Sequence, residues 1–174
     1  VYTQMLNNDG GIEADVTIVC LERNYFRIIS SAATRERDKF HINKNLTTNI
    51  ELSDVTDKYC VFGLFGPKSR ELISSISKED FSNKNFKFAT GKKIKINNVE
   101  TWVQRLSYVG ELGYEIYVEF DKAVEIYSLL INEGKKYNIS NCGMHSLDIM
   151  RMENGFLHWG HDISPAENQY QAGL

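Results

Sequence analysis

The 174-residue sequence predicts an α+β protein built on antiparallel sheets. Three observations carry that prediction. An alternating stretch, Ile12 to Leu21, leaves a Gly10-Gly11 turn. A compact apolar run, Tyr59 to Phe65, passes through Gly66-Pro67 into a helical pattern. Strand-like segments over 92–108 and 101–119 are joined by short polar connections, as in hairpins.

In chain order, Val1 to Leu6 reads as a strand, and the absence of an initiator Met suggests a piece excised from a longer chain. In the alternating stretch, Ile12, Ala14, Val16, Ile18 and Cys20 point one way, and Glu13, Asp15, Thr17 and Val19 the other. A half-buried strand with a solvated polar face accounts for this most simply. A polar face that lines a cavity, with Asp15 doing chemistry there, is the alternative. Tyr25 to Ser30 reads as the next strand, and Ser31 or Thr34 caps a helix running to about Lys44. Ile50 to Val55 reads as a short strand.

Tyr59 to Phe65 suits a central strand. Pro67 then takes the first helical position of a helix to Ile76, with Leu72, Ile73 and Ile76 turned inward. Phe81, Phe86 and Phe88 are expected packing anchors. Lys92 to Ile96 and Glu100 to Tyr108 form a hairpin across Asn97-Asn98, because Asn tolerates positive φ. The strand Tyr114 to Glu119 returns, with Tyr114, Ile116 and Val118 on one face and Glu115, Tyr117 and Glu119 on the other. Asp121 is the expected N-cap of a helix Lys122 to Gly134, and Asn141 that of a helix Cys142 to Glu153.

Composition narrows the function classes. With 42% hydrophobic residues the chain can bury one sizeable core or two small ones, and a net charge of −3 does not suggest a nucleic-acid partner. No apolar run approaches the roughly 20 residues of a membrane span, so no membrane partner is expected. Cys20, Cys60 and Cys142 are odd in number and scattered. They read as reduced, buried thiols of a cytoplasmic protein, or of the mitochondrial matrix in a eukaryote. His158, His161 and Asp162 match no metal-ligand spacing, and no metal is expected.

Two positions suggest binding chemistry. A carboxylate at Glu115 among aromatic rings can accept from adjacent N–H groups of a flat heterocycle while the rings supply stacking area. A solvated outer face is again the simpler account. Arg151 lies three residues after Asp148, so it either forks a ligand carboxylate or pairs with Asp148.

Several separated strings then agree in order. Tyr2-Thr3-Gln4-Met5-Leu6-Asn7 with Gly10-Gly11-Ile12 and Asp15, Gly63-Leu64-Phe65-Gly66-Pro67-Lys68-Ser69-Arg70, Tyr108-Val109-Gly110-Glu111-Leu112-Gly113-Tyr114-Glu115, and Arg151-Met152-Glu153-Asn154-Gly155 resemble motifs of the glycine-cleavage T-protein (aminomethyltransferase) family. The resemblance spans the chain. It is nearest to the folate domain of dimethylglycine and sarcosine dehydrogenase-type flavoproteins, through Glu-Ala-Asp-Val-Thr, Gly-Glu-Leu-Gly-Tyr-Glu and Trp-Gly-His-Asp-Ile.

The resemblance implies a compound antiparallel-sheet folate-binding domain with a ferredoxin-like part. One lobe would comprise 1–48 and 140–174, and the ferredoxin-like lobe 49–139. A flavin domain carrying FAD would precede the chain in cis, and a barrel-like domain would follow it. It also implies tetrahydrofolate as cofactor and a small N-methyl amine as substrate. A one-carbon unit would pass from the amine to give 5,10-methylenetetrahydrofolate. Carried over by position, Asp15 matches the family's catalytic acid and Glu115 the carboxylate that receives the pterin. Tyr108 matches an aromatic neighbour in the pocket and Arg151 an arginine near the folate; Thr17, two residues along the same strand face as Asp15, and Tyr114 are further folate-site candidates. Arg27 stands where T-proteins have a Tyr, a departure at that contact. Two alternatives share the fold: methyl transfer from a sulfonium or similar donor, and glycine-cleavage aminomethyl transfer. A non-catalytic folate-binding module is disfavoured, because the reactive-Cys signature of such relatives is absent.

Overall fold

Asn7 starts the first hairpin. Its side-chain Oδ1 accepts from the backbone N–H of Asp9 (3.0 Å) and of Gly11 (2.8 Å), while Gly10 takes φ +82°, where a side chain would be strained. Gly11 is needed for a different reason. A Cβ there would lie 1.9 Å from the carbonyl oxygen of Pro165. The turn joins β1 (Tyr2–Leu6) to β2 (Ile12–Glu22), and β3 (Tyr25–Ile29) completes a three-stranded antiparallel sheet in the order β1-β2-β3.

The computed structural model describes residues 1–174, which divide into two units. The first comprises Val1–Asp54 with Leu157–Leu174. Ile12, Ala14 and Val16 are buried on one face of its sheet, as the alternation predicts. The chain's last segment is laced to β2: the Trp159 indole N–H donates to the Ile12 carbonyl (2.9 Å), and the Ile12 N–H to the Glu167 carbonyl (2.9 Å). Helix α1 (Arg35–Asn45) follows a short 3₁₀ turn capped by Ser31, and Arg37 stacks over Trp159 while pairing with Glu13.

The second unit, Val55–Phe156, is a four-stranded antiparallel sheet with two helices packed on it. Its elements are β4 (Tyr59–Phe65), α2 (Ser69–Ile76), β5 (Gly91–Ile96), β6 (Val99–Gln104), β7 (Gly113–Glu119), α3 (Ala123–Gly134) and α4 (Met144–Glu153). The sheet order is β4-β7-β6-β5, so the first and last strands of the unit are neighbours. The mixed helix and antiparallel-sheet class matches the expectation. Leu72, Ile73 and Ile76 of α2 and Ile126 and Leu130 of α3 pack on Leu64, Ile94, Ile96, Val103, Tyr114, Ile116 and Val118 of the sheet, with Phe81 and Phe86. Fully burying each such side chain stabilises the fold by roughly 1.5–3 kcal/mol. Asn97 and Asn98 take positive φ in the β5–β6 turn, as their identity predicts.

Several expectations are corrected. Ile50–Val55 forms no strand, because its charges hold it elsewhere: Asp54 reaches Arg35 (2.8 Å) and Lys39 (3.8 Å). Phe88 is 67% exposed and anchors nothing. Asp121 lies inside a 3₁₀ turn, so the cap position of α3 falls on Lys122, and that of α4 falls on Gly143 rather than Asn141. Strand β6 stops at Gln104. The thiols are free, but Cys20 and Cys142 are exposed. The units meet the chain at 54/55 and 156/157, where the sequence reading set 48/49 and 139/140. Helix α4 accordingly falls in the second unit, where the Asn154 amide donates to the Val109 carbonyl (3.3 Å).

Candidate functional site

In the first unit, the hairpin register decides the surroundings of Asp15. Gln4 lies directly opposite it and Tyr2 opposite Thr17, so all four share one face of the sheet. Gln4 Nε2 donates to Asp15 Oδ1 and the Tyr2 hydroxyl to Oδ2, both at 2.9 Å. The carboxylate is half-buried, and burial raises its pKa above the ordinary 3.8. The bonds from Gln4 and Tyr2 pull the other way and offset only part of that rise. A carboxyl moved toward neutrality is better matched to proton transfer than an ordinary surface aspartate. Thr17 is half-buried beside it, opposite Tyr2 and Ile29. Glu13 is held by Arg37.

This shift has a stability consequence. The folded chain binds the Asp15 proton more tightly than the unfolded chain does, so stability falls as pH rises through the window from 3.8 to the raised value. The loss persists at neutral pH, where the ionised carboxylate must stay partly desolvated. Asp15→Asn is therefore expected to melt at a higher temperature than the parent at pH 7, with the difference disappearing below pH 3.8. An unchanged or lower melting temperature at pH 7 would contradict the buried-charge account.

In the second unit, Glu115 lies on the sheet face opposite the helices. One row across the four strands reads Gly63–Glu115–Gln104–Gly91. The two glycines leave their places to aromatic rings. A Cβ at Gly63 would meet the Phe65 ring at 2.5 Å, and one at Gly91 the Trp102 ring at 2.5 Å. A carboxylate and an amide thus sit side by side between two flat rings. Gln104 Nε2 donates to Glu115 Oε2 (2.6 Å), and so does the Tyr117 hydroxyl (2.8 Å). Both bonds land on one oxygen and leave Oε1 as an acceptor.

Tyr108 follows β6 in the loop and stacks on Phe156, with ring centroids 6.2 Å apart and planes 16° from parallel. Arg151 is 4% exposed; its Nε donates to Asp148 Oδ1 (2.7 Å) and its NH1 to the Phe156 carbonyl (3.0 Å). Of the two outcomes open in the sequence, the structure shows the pair with Asp148, and the same guanidinium fastens the residue on which Tyr108 stacks. Tyr114 lies apart from Glu115. It is fully buried, edge-on to Phe81 at 5.5 Å and 5.8 Å from Phe86, so it is a core post of the helix-covered face. Asp162, for its part, accepts from the His158 backbone N–H (2.8 Å) and caps a turn.

Sequence reasoning missed Gln4, Tyr2, Gln104 and Phe65. The signal for Tyr117 was present, since it lies two residues on from Glu115 and shares its strand face. Gln4 was not recoverable: pairing outward from the Asn7–Gly11 turn sets it opposite Ala14, and a bulge between Met5 and Leu6 moves it to Asp15. Gln104 was not recoverable either, because the irregular 105–112 connection hides the β6–β7 register.

Residues 1–174 match the GCVT N-terminal domain family over their whole length. The chain belongs to that family. Among curated relatives of this GCVT N-terminal domain, 4-methylaminobutanoate oxidase (formaldehyde-forming) from Paenarthrobacter nicotinovorans is 37% identical over 175 residues, covering 100% of this chain and 21% of the oxidase. Human mitochondrial dimethylglycine dehydrogenase is 29% identical over 175 residues, covering 99% of this chain and 20% of the enzyme. The domain therefore spans about a fifth of the length of these relatives, which are enzymes. Among solved structures, the glycine cleavage system aminomethyltransferase T from Bartonella henselae superposes with a TM-score of 0.79 at 21% identity, over 97% of this chain and 44% of that one. That likeness establishes the T-protein fold. No helix is long and apolar enough to cross a membrane.

Proposed function

We propose that this domain binds tetrahydrofolate and transfers to it a one-carbon unit from an N-methyl amine of the dimethylglycine or sarcosine type, giving 5,10-methylenetetrahydrofolate. The observation that carries the reading is the Glu115 row. One carboxylate oxygen is saturated by the chain's own donors and the other is left to accept, with flat rings on either side. That open oxygen fits a pterin, whose ring edge offers N–H donors to a carboxylate while the flanking rings supply stacking area. When bound, the reduced pterin supplies the nitrogens that take up the one-carbon unit.

The chain's own residues then have separate tasks. Glu115 accepts from the heterocycle's N–H groups and fixes its orientation, which is most of what a two-reactant transfer requires. Tyr108 offers a ring face whose angle is set by Phe156, and Arg151 works through that stack as a positioning residue. Asp15 balances the positive charge of an amine-derived carbon while ionised, and takes a proton from an attacking amine nitrogen at its carboxylate. Thr17 keeps the strip beside Asp15 polar. Where the domain stands in a dehydrogenase-type protein, FAD and amine oxidation belong to another domain acting in cis.

Calorimetric titration of the 174-residue chain with tetrahydrofolate tests the reading. Saturable one-to-one binding is expected; the absence of any binding up to millimolar ligand would overturn it.

A further inference from the structure

Gln104 belongs to no motif of the sequence, yet it is only 2% exposed and lies at the centre of the row beside Glu115. A buried amide must satisfy its donors and its acceptor, and here each has one solution. The Trp102 indole N–H, which can only donate, meets Gln104 Oε1 at 3.3 Å. That contact turns Nε2 toward Glu115 Oε2 (2.6 Å) and the Tyr117 hydroxyl (3.0 Å). The reversed amide would set NH₂ against the indole N–H and its carbonyl against a carboxylate, two repulsions in place of two bonds. The Trp102 ring also fills the place next to Gln104 that Gly91 leaves empty, so the amide cannot lean away.

We infer that Gln104, oriented by Trp102, is the positioning residue of Glu115: it anchors one carboxylate oxygen so that the other is presented to the ligand before the ligand arrives. The inference rests on the reading of Glu115 as the acceptor of a pterin ring. Without the amide, Tyr117 alone would hold the carboxylate. Binding would then have to order a side chain that is already ordered in the parent. Tyr117 accepts from the same amide and donates to the same oxygen, so the three groups act as one unit and their removal should not be additive.

The test is a double-mutant cycle read by calorimetric titration with folinate, which needs no turnover. Gln104→Met keeps the length of the side chain and removes both polar ends. It is expected to weaken folinate binding about tenfold, in line with losing a hydrogen bond to a charged group. In a Glu115→Gln background the same change should alter affinity by less than about twofold, because there is no charged oxygen left to anchor. A merely structural role would give equal factors in both backgrounds, and that result would overturn the inference. Trp102→Phe retains Gln104 but releases its amide, and about a threefold loss is expected. Should Gln104→Met fail to fold, unchanged affinity in Trp102→Phe would overturn the inference by itself. The two readings fail differently. Wild-type affinity in Glu115→Gln removes the pterin assignment, whereas a weakened Glu115→Gln with an unaffected Gln104→Met removes only the positioning role.

Discussion

Asp15→Ala is expected to lower the formation of methylenetetrahydrofolate by about two orders of magnitude, the lower range of general acid–base contributions, with folate affinity left near that of the parent. The expectation follows from where the carboxylate sits. Its two oxygens each take one neutral donor, from Gln4 and Tyr2, and neither is locked in an ion pair. Burial has already moved its pKa toward the range in which a proton passes both ways. The measurement is methylenetetrahydrofolate formed per amine consumed, in the full-length protein that carries the domain. Turnover equal to the parent would end the assignment of Asp15. Asp15→Asn should lose activity similarly while melting higher at neutral pH, so a catalytic loss would come with a gain in stability, as is common at strained or desolvated sites.

Glu115→Gln should produce the second large effect, and in the other quantity. Folate affinity is expected to fall about 10- to 100-fold, because one charge-assisted acceptor is exchanged for a neutral amide whose NH₂ confronts ring donors. At saturating folate the rate should change far less, since Glu115 orients the ring and moves no proton. Calorimetry on the chain gives the first quantity and saturation kinetics on the full-length protein the second. Parent-like affinity in Glu115→Gln would remove the pterin role.

The elements were legible wherever a short-range rule governed them. Period-two alternation located β2 and β7, and paired asparagines located the β5–β6 turn; the Gly66-Pro67 step marked the approach to α2, but Pro67 lies in the turn before the cap Lys68 and the first helical position is Ser69. What failed depended on partners far away in sequence. Ile50–Val55 carries a strand's apolar pattern, but no strand lies beside it, and Arg35 and Lys39 claim Asp54 instead. Tyr114 looks like a ligand contact beside Glu115, yet adjacent residues on a strand point to opposite faces, and the core takes Tyr114. The same alternation, applied strictly, selects Tyr117 in its place. Arg151 and Asp148 were recognised as neighbours, whereas the link from Arg151 to Phe156 needed the turn after α4.

Three glycines on the outer face of the second sheet have a consequence for how this domain tolerates change. A methyl group at Gly113 would sit 2.2 Å from Phe65, one at Gly63 2.5 Å from the same ring, and one at Gly91 2.5 Å from Trp102. None of the three carries a functional group. Even so, each holds open the place of a ring that walls the Glu115–Gln104 pair. Adding a single carbon at any of them would tilt a wall and thereby re-aim a carboxylate several ångströms away. The vulnerability of this surface thus lies in its empty positions, and drift in ligand affinity among natural variants should be traceable to sites that contribute no atom to the ligand.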